Sequence, residues 1–585
     1  MPVSLVEGNS ILAIDIGSVT TRAAYFDVVE GQYRFIGMGY SPTTINAPAK
    51  NVAFGVQAAI ESLQFVVGKS LMDENGQLAM PSQPDGTGVD GLCATISAGN
   101  VLKTVLVGLL PDVSLKSIEK LAQGAEIEIV DSFHVNDVRD INEQLDAILK
   151  ISPDLVLIAG GTDGGATHSI QKILELVGLA SYLMPEANRP ALLFAGNKNM
   201  QKQVHSSMKN LSPLLAIAPN VRPVADAEDL GPAQRELASQ TIKLRQRQMP
   251  ELEDLCALSG SAVLPASYNQ GRMVRFLSRH FDTGRGVLSV DVGASSLSLA
   301  MAFGDELYAN VFNQYGMGEP LGGLLSHTTL EELVRWLPSN LSADVVRDYL
   351  YQKSLYPTFI PAAKDELIIE QTIVRHLLQL ASHAAISLLP ARHRSRTGLL
   401  PSMQPILASG AALTEAATPG QKLLMLLDGL QPAGITTLAM DQNNLLSMLG
   451  AIAEQNSLLP VQVIDSGALA YLATVIAPVI NNVNYGTPIV RAKLIRNDGS
   501  ESETEVKMGA LQILPLDSGQ TARLQLRPLL RADVGLGPGR AGEVDVIGSS
   551  LGIVIDARGR PIRLPTEADR RRELLGLWQN KMGGY

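Results

Sequence analysis

Two short segments of this chain carry residues suited to holding a phosphate. Residues 11–26 read ILAIDIGSVTTRAAYF and residues 287–302 read VLSVDVGASSLSLAMA. They align without gaps at an offset of 276 residues, with Leu12/Leu288, Asp15/Asp291, Gly17/Gly293 and Ala24/Ala300 identical. Each has an apolar run, an Asp, a Gly, small or hydroxyl residues, and a second apolar run, the order of a β-hairpin with an accessible turn. A carboxylate at a strand end can hold Mg²⁺, usually through waters, because that ion dehydrates reluctantly. Glycine lets the backbone turn and approach an anion closely. Ser18, Thr20 and Thr21 add N–H and hydroxyl donors in the first copy, as do Ser295 and Ser296 in the second. One D-x-G-S is an ordinary hairpin turn. Two copies in equivalent settings, facing each other, would clamp phosphates from both sides, with Asp15 and Asp291 as the candidate metal-holding and catalytic carboxylates.

A second kind of turn lies between them. The apolar run DLVLIA (154–159) leads into Gly160, Gly161, Thr162, Asp163, Gly164 and Gly165, and a helical pattern follows. Such a turn can bind an anion or a partner at a sheet's C-terminal edge. It can equally be a tight strand-to-helix connection that uses glycine for its dihedral freedom. The glycine-rich 535–542 segment, GLGPGRAG, reads as a connection between strands, with Arg540 the residue that an anion would meet.

The elements that must position these turns follow from the pattern of the chain. Apolar strand-like runs alternate with helical periodicity through about residue 480, which predicts parallel sheets covered by helices on both faces. Helices are expected over 52–67, 115–122, 166–177 and 366–389. After residue 485 the pattern changes to short β-type runs at 488–496, 501–507, 510–515, 521–527, 543–547 and 552–555, then a helix over 566–579. Hydrophobic residues make up 46% of the 585 and charged residues 18%, which excludes a disordered chain. Aromatics are 4%, so the core is built from aliphatic side chains. The net charge of −11 disfavours general nucleic-acid binding. It is unevenly spread: residues 486–585 hold 15 basic and 12 acidic residues against 32 and 46 before them, the mark of a distinct C-terminal module. Two cysteines, Cys93 and Cys256, exclude a disulfide framework and any cysteine-rich metal site within one chain. His376 and His383, two helical turns apart, read as a solvated or core-capping pair. The 25 uncharged residues between Asp465 and Arg491 contain a 14-residue apolar stretch, 467–480, too short to span a bilayer. With no basic and apolar leader at the N-terminus, a cytoplasmic protein without a membrane span is expected.

Taken together, the motifs resemble those of the actin-like ATPase superfamily, which includes actin, heat-shock chaperones and sugar kinases. The two hairpins resemble its two phosphate motifs. GMGEPLGGLL (316–325) resembles the Gly-Gly turn that opens a helix after the second, with Gly322 and Gly323 matching. PILASGAALTEA (405–416) resembles the adenosine motif, with Ser409, Gly410 and Ala411 at the positions that border the nucleoside. CATISAG (93–99), VGLLP (107–111), AGGTDGG, AGN (195–197) and PNVRP (219–223) narrow the resemblance to the glutamate mutase accessory family of the MutL type, over roughly residues 10–470. That resemblance implies an α/β, two-lobed actin-like ATPase fold of duplicated ribonuclease H-like domains, with a C-terminal, mainly antiparallel β-domain added. The lobes would be 1–285, with an inserted α/β segment around 100–280, and 286–485, and the added domain 486–585. It implies ATP or ADP with Mg²⁺ as ligands, a subunit of an adenosylcobalamin-dependent mutase as partner, and a chaperone or reactivating role driven by nucleotide-linked lobe motion. The second phosphate loop departs from the family pattern D-V-G-G-A-T-T-D at Ala294, Leu297 and Ser298, which implies at most a slow ATPase. Glu319 and Asp163, beside glycine-rich turns, are the positions where a general base would be sought. The alternative is a degenerate actin-like scaffold that self-associates or assembles with partners. A small-molecule kinase lacks a recognisable base here, and an iron–sulfur activator lacks its cysteine pair.

Overall fold

The computed structural model describes residues 8–281 and 284–584. The first seven residues, on which the expectation of no leader rests, lie outside them. Two compact units are present, both discontinuous in sequence. The first comprises residues through Gln270 with Ala309–Asn313 and Leu446–Ser466. The second comprises Gly271–Tyr308, Gln314–Leu445 and the residues from Gly467 onward.

In the first unit, β1 (Ile11–Ile16), β2 (Thr20–Val29) and β3 (Gln32–Pro42) form an antiparallel meander, and β4 (Gly91–Ile96) runs parallel to β1. All six residues of β1 are buried, as a strand covered on both faces requires. Leu12, Ile14 and Ile16 pack with Leu92, Ala94 and Ile96, and with Ala59 and Leu63 of the helix Val52–Val67. The Asn51 side chain caps that helix by accepting from the Ala53 N–H, and Gly68 ends it in the left-handed region. Before the sheet is completed, the chain builds a second sheet from β5 (Leu102–Gly108), β6 (Ile127–His134), β7 (Leu155–Ile158), β8 (Ala191–Phe194) and β9 (Leu215–Ile217). Its pairs are all parallel, in the order β6-β5-β7-β8-β9. Counted from its own first strand this is 2-1-3-4-5, a doubly wound order. The short β10 (Leu264–Pro265) then pairs parallel to β4, giving β10-β4-β1-β2-β3.

The second unit repeats that plan. β11 (Gly286–Val292), β12 (Leu297–Phe303) and β13 (Glu306–Phe312, whose last four residues are counted with the first unit) form a meander, with β14 (Met403–Ser409) parallel to β11 and β15 (Gly434–Met440) parallel to β14. The order β13-β12-β11-β14-β15 reproduces β3-β2-β1-β4-β10 position for position. The duplication seen in two hairpins therefore extends to two whole sheets. The fold is α/β of the actin-like type, with duplicated ribonuclease H-like sheets.

The sheet of the second unit does not stop there. β16 (Ala470–Ala477), the core of the uncharged stretch, adds antiparallel to β15. The C-terminal region forms an antiparallel sheet, β18-β17-β20-β21, from β17 (Pro488–Arg496), β18 (Glu501–Lys507), β20 (Thr521–Pro528) and β21 (Gly542–Ile547). Its other strands, β19 (Leu511–Leu514) and β22 (Ile553–Asp556), extend the eight-stranded sheet of the second unit, β22 pairing parallel to β16.

Charge fixes this region in place. Asp556, Arg558 and Arg560 are buried with Asp428 of the helix Pro419–Leu430 and Arg375 of the helix Lys364–Leu388. Arg558 reaches Asp428 at 2.6 Å and Asp556 at 2.8 Å, Arg560 reaches Asp556 at 2.7 Å, and Arg375 lies 3.1 Å from Asp428. The Arg558 guanidinium also sits 4.9 Å from the ring centre of Trp578, on the terminal helix Ala568–Lys581. Burial alone would raise the Asp556 carboxyl, but Arg558 and Arg560 hold it well below the usual range. Removing one member of such a network leaves its partners charged and unpaired, at a cost of about 3–5 kcal/mol. Asp428→Asn should therefore lower the denaturant midpoint strongly, whereas Glu505→Gln, which breaks the exposed Arg491 pair, should leave it unchanged. Equal midpoints for the two variants would contradict a network whose buried charges depend on one another.

Candidate functional site

Each hairpin turn closes on a backbone hydrogen bond at the same place. The Gly17 N–H donates to the Thr20 carbonyl at 3.1 Å, and the Gly293 N–H donates to the Ser296 carbonyl at 3.0 Å. Between donor and acceptor lie Ser18 and Val19 in one turn and Ala294 and Ser295 in the other. None of these four N–H groups donates a hydrogen bond among the described residues, and all four residues are partly exposed. Successive free N–H groups in a tight turn are an anion-binding arrangement. A buried turn with such groups unsatisfied would be costly, but these can meet water or a ligand.

Different segments brace the two turns. In the first unit the Thr43 hydroxyl donates to the Gly17 carbonyl at 2.7 Å and shares a hydrogen bond with the Thr21 hydroxyl at 2.9 Å, while the Thr43 N–H donates to the Val19 carbonyl at 2.8 Å. In the second unit the Met317 N–H donates to the Gly293 carbonyl at 2.9 Å and the Gly318 N–H to the Ala294 carbonyl at 2.8 Å. Gly322 and Gly323 instead lie exposed within a 3-10 segment, Glu319–Ser326, and a Cβ on either would not reach the turn. The close approach to the second turn is made by Gly316 and Gly318. No α-helix opens at the Gly-Gly pair; the next one is Leu330–Val334.

The two aspartates occupy equivalent places in different surroundings. Asp15 is buried and faces Arg22 across the hairpin, with Nη1 3.1 Å from Oδ2. Asp291 is partly exposed and faces Ser298 in the same register. On its other side Asp15 is in register with Thr95 of β4, and Asp291 with Ser409 of β14. The second unit thus brings Asp291, Gly293 and the segment Ser409, Gly410 and Ala411 to one end of one sheet. Gly410 has φ of 100°, and a Cβ there would overlap the Val292 carbonyl, so only glycine fits between β14 and the end of β11. Ala411 starts the short helix Ala411–Thr414. No group of three or more His, Cys, Asp or Glu side chains able to hold a metal occurs among the described residues. In each unit the one carboxylate beside the turn fits Mg²⁺ carried by phosphates and waters.

The turn in the inserted sheet is explained without a ligand. Gly161 and Gly164 have positive φ, a Cβ on Gly160 would press on the Leu109 side chain, and one on Gly165 would meet Thr162. Asp163 accepts from the Asn220 side chain at 3.0 Å and the Lys198 N–H at 3.1 Å, and Asn220 also donates to the Gly161 carbonyl at 2.9 Å. Burial would raise the Asp163 carboxyl, but Asn220 and Lys198 hold it below its ordinary value, which unfits it for a general base. The motifs at 159–165, 195–197 and 219–223 are thus one interlocked corner at the C-terminal edge of the inserted sheet. Glu319 is exposed at the start of its 3-10 segment.

Sequence comparison places this arrangement. The model of the MutL protein family matches residues 11–467, most of the chain and both hairpins. The chain belongs to the MutL family. The curated Protein MutL of Clostridium tetanomorphum is 21% identical over 396 residues, covering 62% of this chain and 82% of that protein. Among solved structures, a glycerol dehydratase reactivase is similar at 11% identity over 72% of this chain and 95% of that one, with a TM-score of 0.29. The xylulose kinase of Bifidobacterium adolescentis is similar at 11% identity over 80% and 96%, with a TM-score of 0.27. Nucleotide-free acetone carboxylase is similar at 12% identity over 85% and 81%, with a TM-score of 0.33.

The packing of Gly410 gives a direct test of how this end of the sheet is built. Gly410→Ala should destabilise the protein by at least about 1–2 kcal/mol, through left-handed strain and displacement of β11. Gly323→Ala, with open space at its Cβ, should not. Thermal unfolding distinguishes them, and a silent Gly410→Ala would contradict the tight contact.

Proposed function

We propose that this MutL-family chain is a nucleotide-binding accessory protein of an adenosylcobalamin-dependent mutase, acting as a chaperone or reactivating factor. The observation that carries the reading is the pair of matching turns, each offering two free N–H groups, on duplicated sheets in a member of this family. Residues 17–21 and 293–296 would hold the phosphates of ATP or ADP. Ser409, Gly410 and Ala411 would border the nucleoside. Asp15 and Asp291 would hold Mg²⁺ through waters. Bound nucleotide would supply differential affinity for two conformations of the chain, which is what any ligand-driven change requires. The chain's own contribution is to hold the donors still: Thr43 fixes the first turn, and Met317 and Gly318 fix the second. No helix of the described residues is long and apolar enough to cross a membrane, and the proposal places the protein in the cytoplasm with its client.

Turnover is proposed to be slow at most. Ser298 stands opposite Asp291 where the family pattern has a second carboxylate, and Leu297 is fully buried where it has a hydroxyl. Ala294 is compatible with the turn, since Ser18 occupies the matching position of the first hairpin. These departures favour, as a second reading, a scaffold that binds nucleotide without hydrolysing it and works through self-association or partners. Ala294→Gly combined with Ser298→Asp should raise hydrolysis from near zero under the second reading and change it little under the first.

Two measurements test the main reading. Mg²⁺–ATP at about 100 times its Kd should stabilise the protein by about 2.7 kcal/mol, seen as a rise in Tm, and Thr43→Val should weaken binding about fivefold. Inactivated adenosylcobalamin-dependent glutamate mutase should recover activity when the chain and Mg²⁺–ATP are added together. No shift in Tm and no recovery would remove the proposal.

A further inference from the structure

The second unit holds a cavity of about 400 Å³ that the nucleotide reading does not use. Its walls include the C-terminal half of the helix Lys364–Leu388, residues at the end of and just after Leu330–Val334, residues 398–400 and 429–431, and Pro561, Ile562 and Leu564. Residues 398–400 and 429–431 immediately precede β14 and β15, so the cavity lies at the N-terminal ends of these parallel strands. Asp291, Ser409 and Gly410 lie at the C-terminal end of the same sheet. With about 3.3 Å per residue, β14 alone separates the two ends by about 20 Å. The cavity is a separate place.

Its size is that of a small-molecule site, and its lining is mixed in the way such sites are. Trp336, Leu400 and Ile386 give an apolar wall, and Arg335, His376 and His383 give polar positions. The surrounding charge is what selects a ligand class. The buried network whose chain neighbours line the cavity contains Arg375, Arg558 and Arg560 against Asp428 and Asp556, one positive charge in excess among the described residues. His376 and Pro561, on the cavity wall, are chain neighbours of Arg375 and Arg560, as Gly429 is of Asp428. An uncompensated buried charge is costly, and a nearby anion relieves it. Arg335 adds to the same field: burial first, then the positive charges of Arg335 and Arg572, hold the Arg571 guanidinium below its ordinary value. Glu332, the wall's carboxylate, is already engaged. The Thr328 hydroxyl donates to it at 2.8 Å and accepts from His376 Nε2 at 2.7 Å, because its single proton is committed to the carboxylate.

We propose that this cavity binds a small organic anion with an apolar body, a carboxylate or a phosphate ester, its charge toward Arg335 and its body against Trp336. Calorimetry on the full chain with hexanoate, hexyl phosphate and the uncharged hexanamide tests this. At least one of the two anions should bind saturably and at least tenfold more tightly than the amide, and the tighter of them tells which anion chemistry the site takes. Arg335→Gln, at an exposed position, should fold normally and weaken the anion about fivefold or more. The protein has two tryptophans, so Trp578→Phe leaves Trp336 as sole reporter, and its fluorescence should saturate with the same Kd. Calorimetry on the unaltered protein decides the matter if that variant does not fold. Absence of saturable binding, equal affinity for amide and anions, or an unchanged Kd in Arg335→Gln would each overturn the proposal.

Discussion

The hydrogen bond from Gly17 to Thr20, and its copy from Gly293 to Ser296, is the constraint on which the site depends. It sets the hairpin register, which fixes what faces each aspartate: Arg22 opposite Asp15 and Ser298 opposite Asp291. It also leaves the two intervening N–H groups of each turn without an internal acceptor. A parallel neighbour strand then supplies a hydroxyl residue beside each aspartate, Thr95 in one unit and Ser409 in the other. The rest of each sheet serves to hold that corner rigid. Because the same local bond recurs in both units, the likeness of the hairpins is structural and not merely compositional.

The duplication has nonetheless diverged. Thr43 braces the first turn partly through its side chain, whereas backbone N–H groups of a glycine-containing segment brace the second. The carboxylate of the first turn is buried and faces Arg22; that of the second is partly exposed and faces Ser298. The C-terminal region adds a different asymmetry. Its strands β19 and β22 continue the second unit's sheet, and a buried five-residue ion network ties it to the helices beneath. The basic surplus noticed in that region is thus partly internal, since Arg558 and Arg560 are buried and paired. Such networks are weak sources of net stability but costly to break, so they enforce one arrangement of the strands they join.

Much of this was legible in sequence because it is local. The hairpins, the run DLVLIA and the strands 488–496 and 501–507 follow from periodicity and turn residues, and the structure has β17 and β18 at those bounds. What escaped is what depends on distant pairing. The crossing of the chain between units at 309–313 and 446–466 leaves no compositional trace. The parallel pairing of β16 with β22, and the meeting of Asp428 with Arg558, join segments that nothing in either segment announces. Met317 and Gly318 act through backbone atoms, which side-chain patterns do not report, so the more conspicuous Gly322-Gly323 pair drew attention instead. The GGTDGG turn, which the sequence leaves open between a binding loop and a tight connection, has a steric or dihedral reason for each of its glycines within the corner it builds. His376 and His383, read as a solvated or core-capping pair, divide between a buried residue held by Thr328 and an exposed one, both on a cavity wall.

The central proposal is that the free N–H groups of both turns take up nucleotide phosphate. Amide hydrogen exchange with and without Mg²⁺–ATP tests it most directly, because the free N–H groups of Ser18, Val19, Ala294 and Ser295 are the atoms invoked. Binding should slow exchange in the segments 17–21 and 293–296 together, over the same range of nucleotide concentration. Protection confined to one segment, or absent from both while Mg²⁺–ATP binds, would contradict the account.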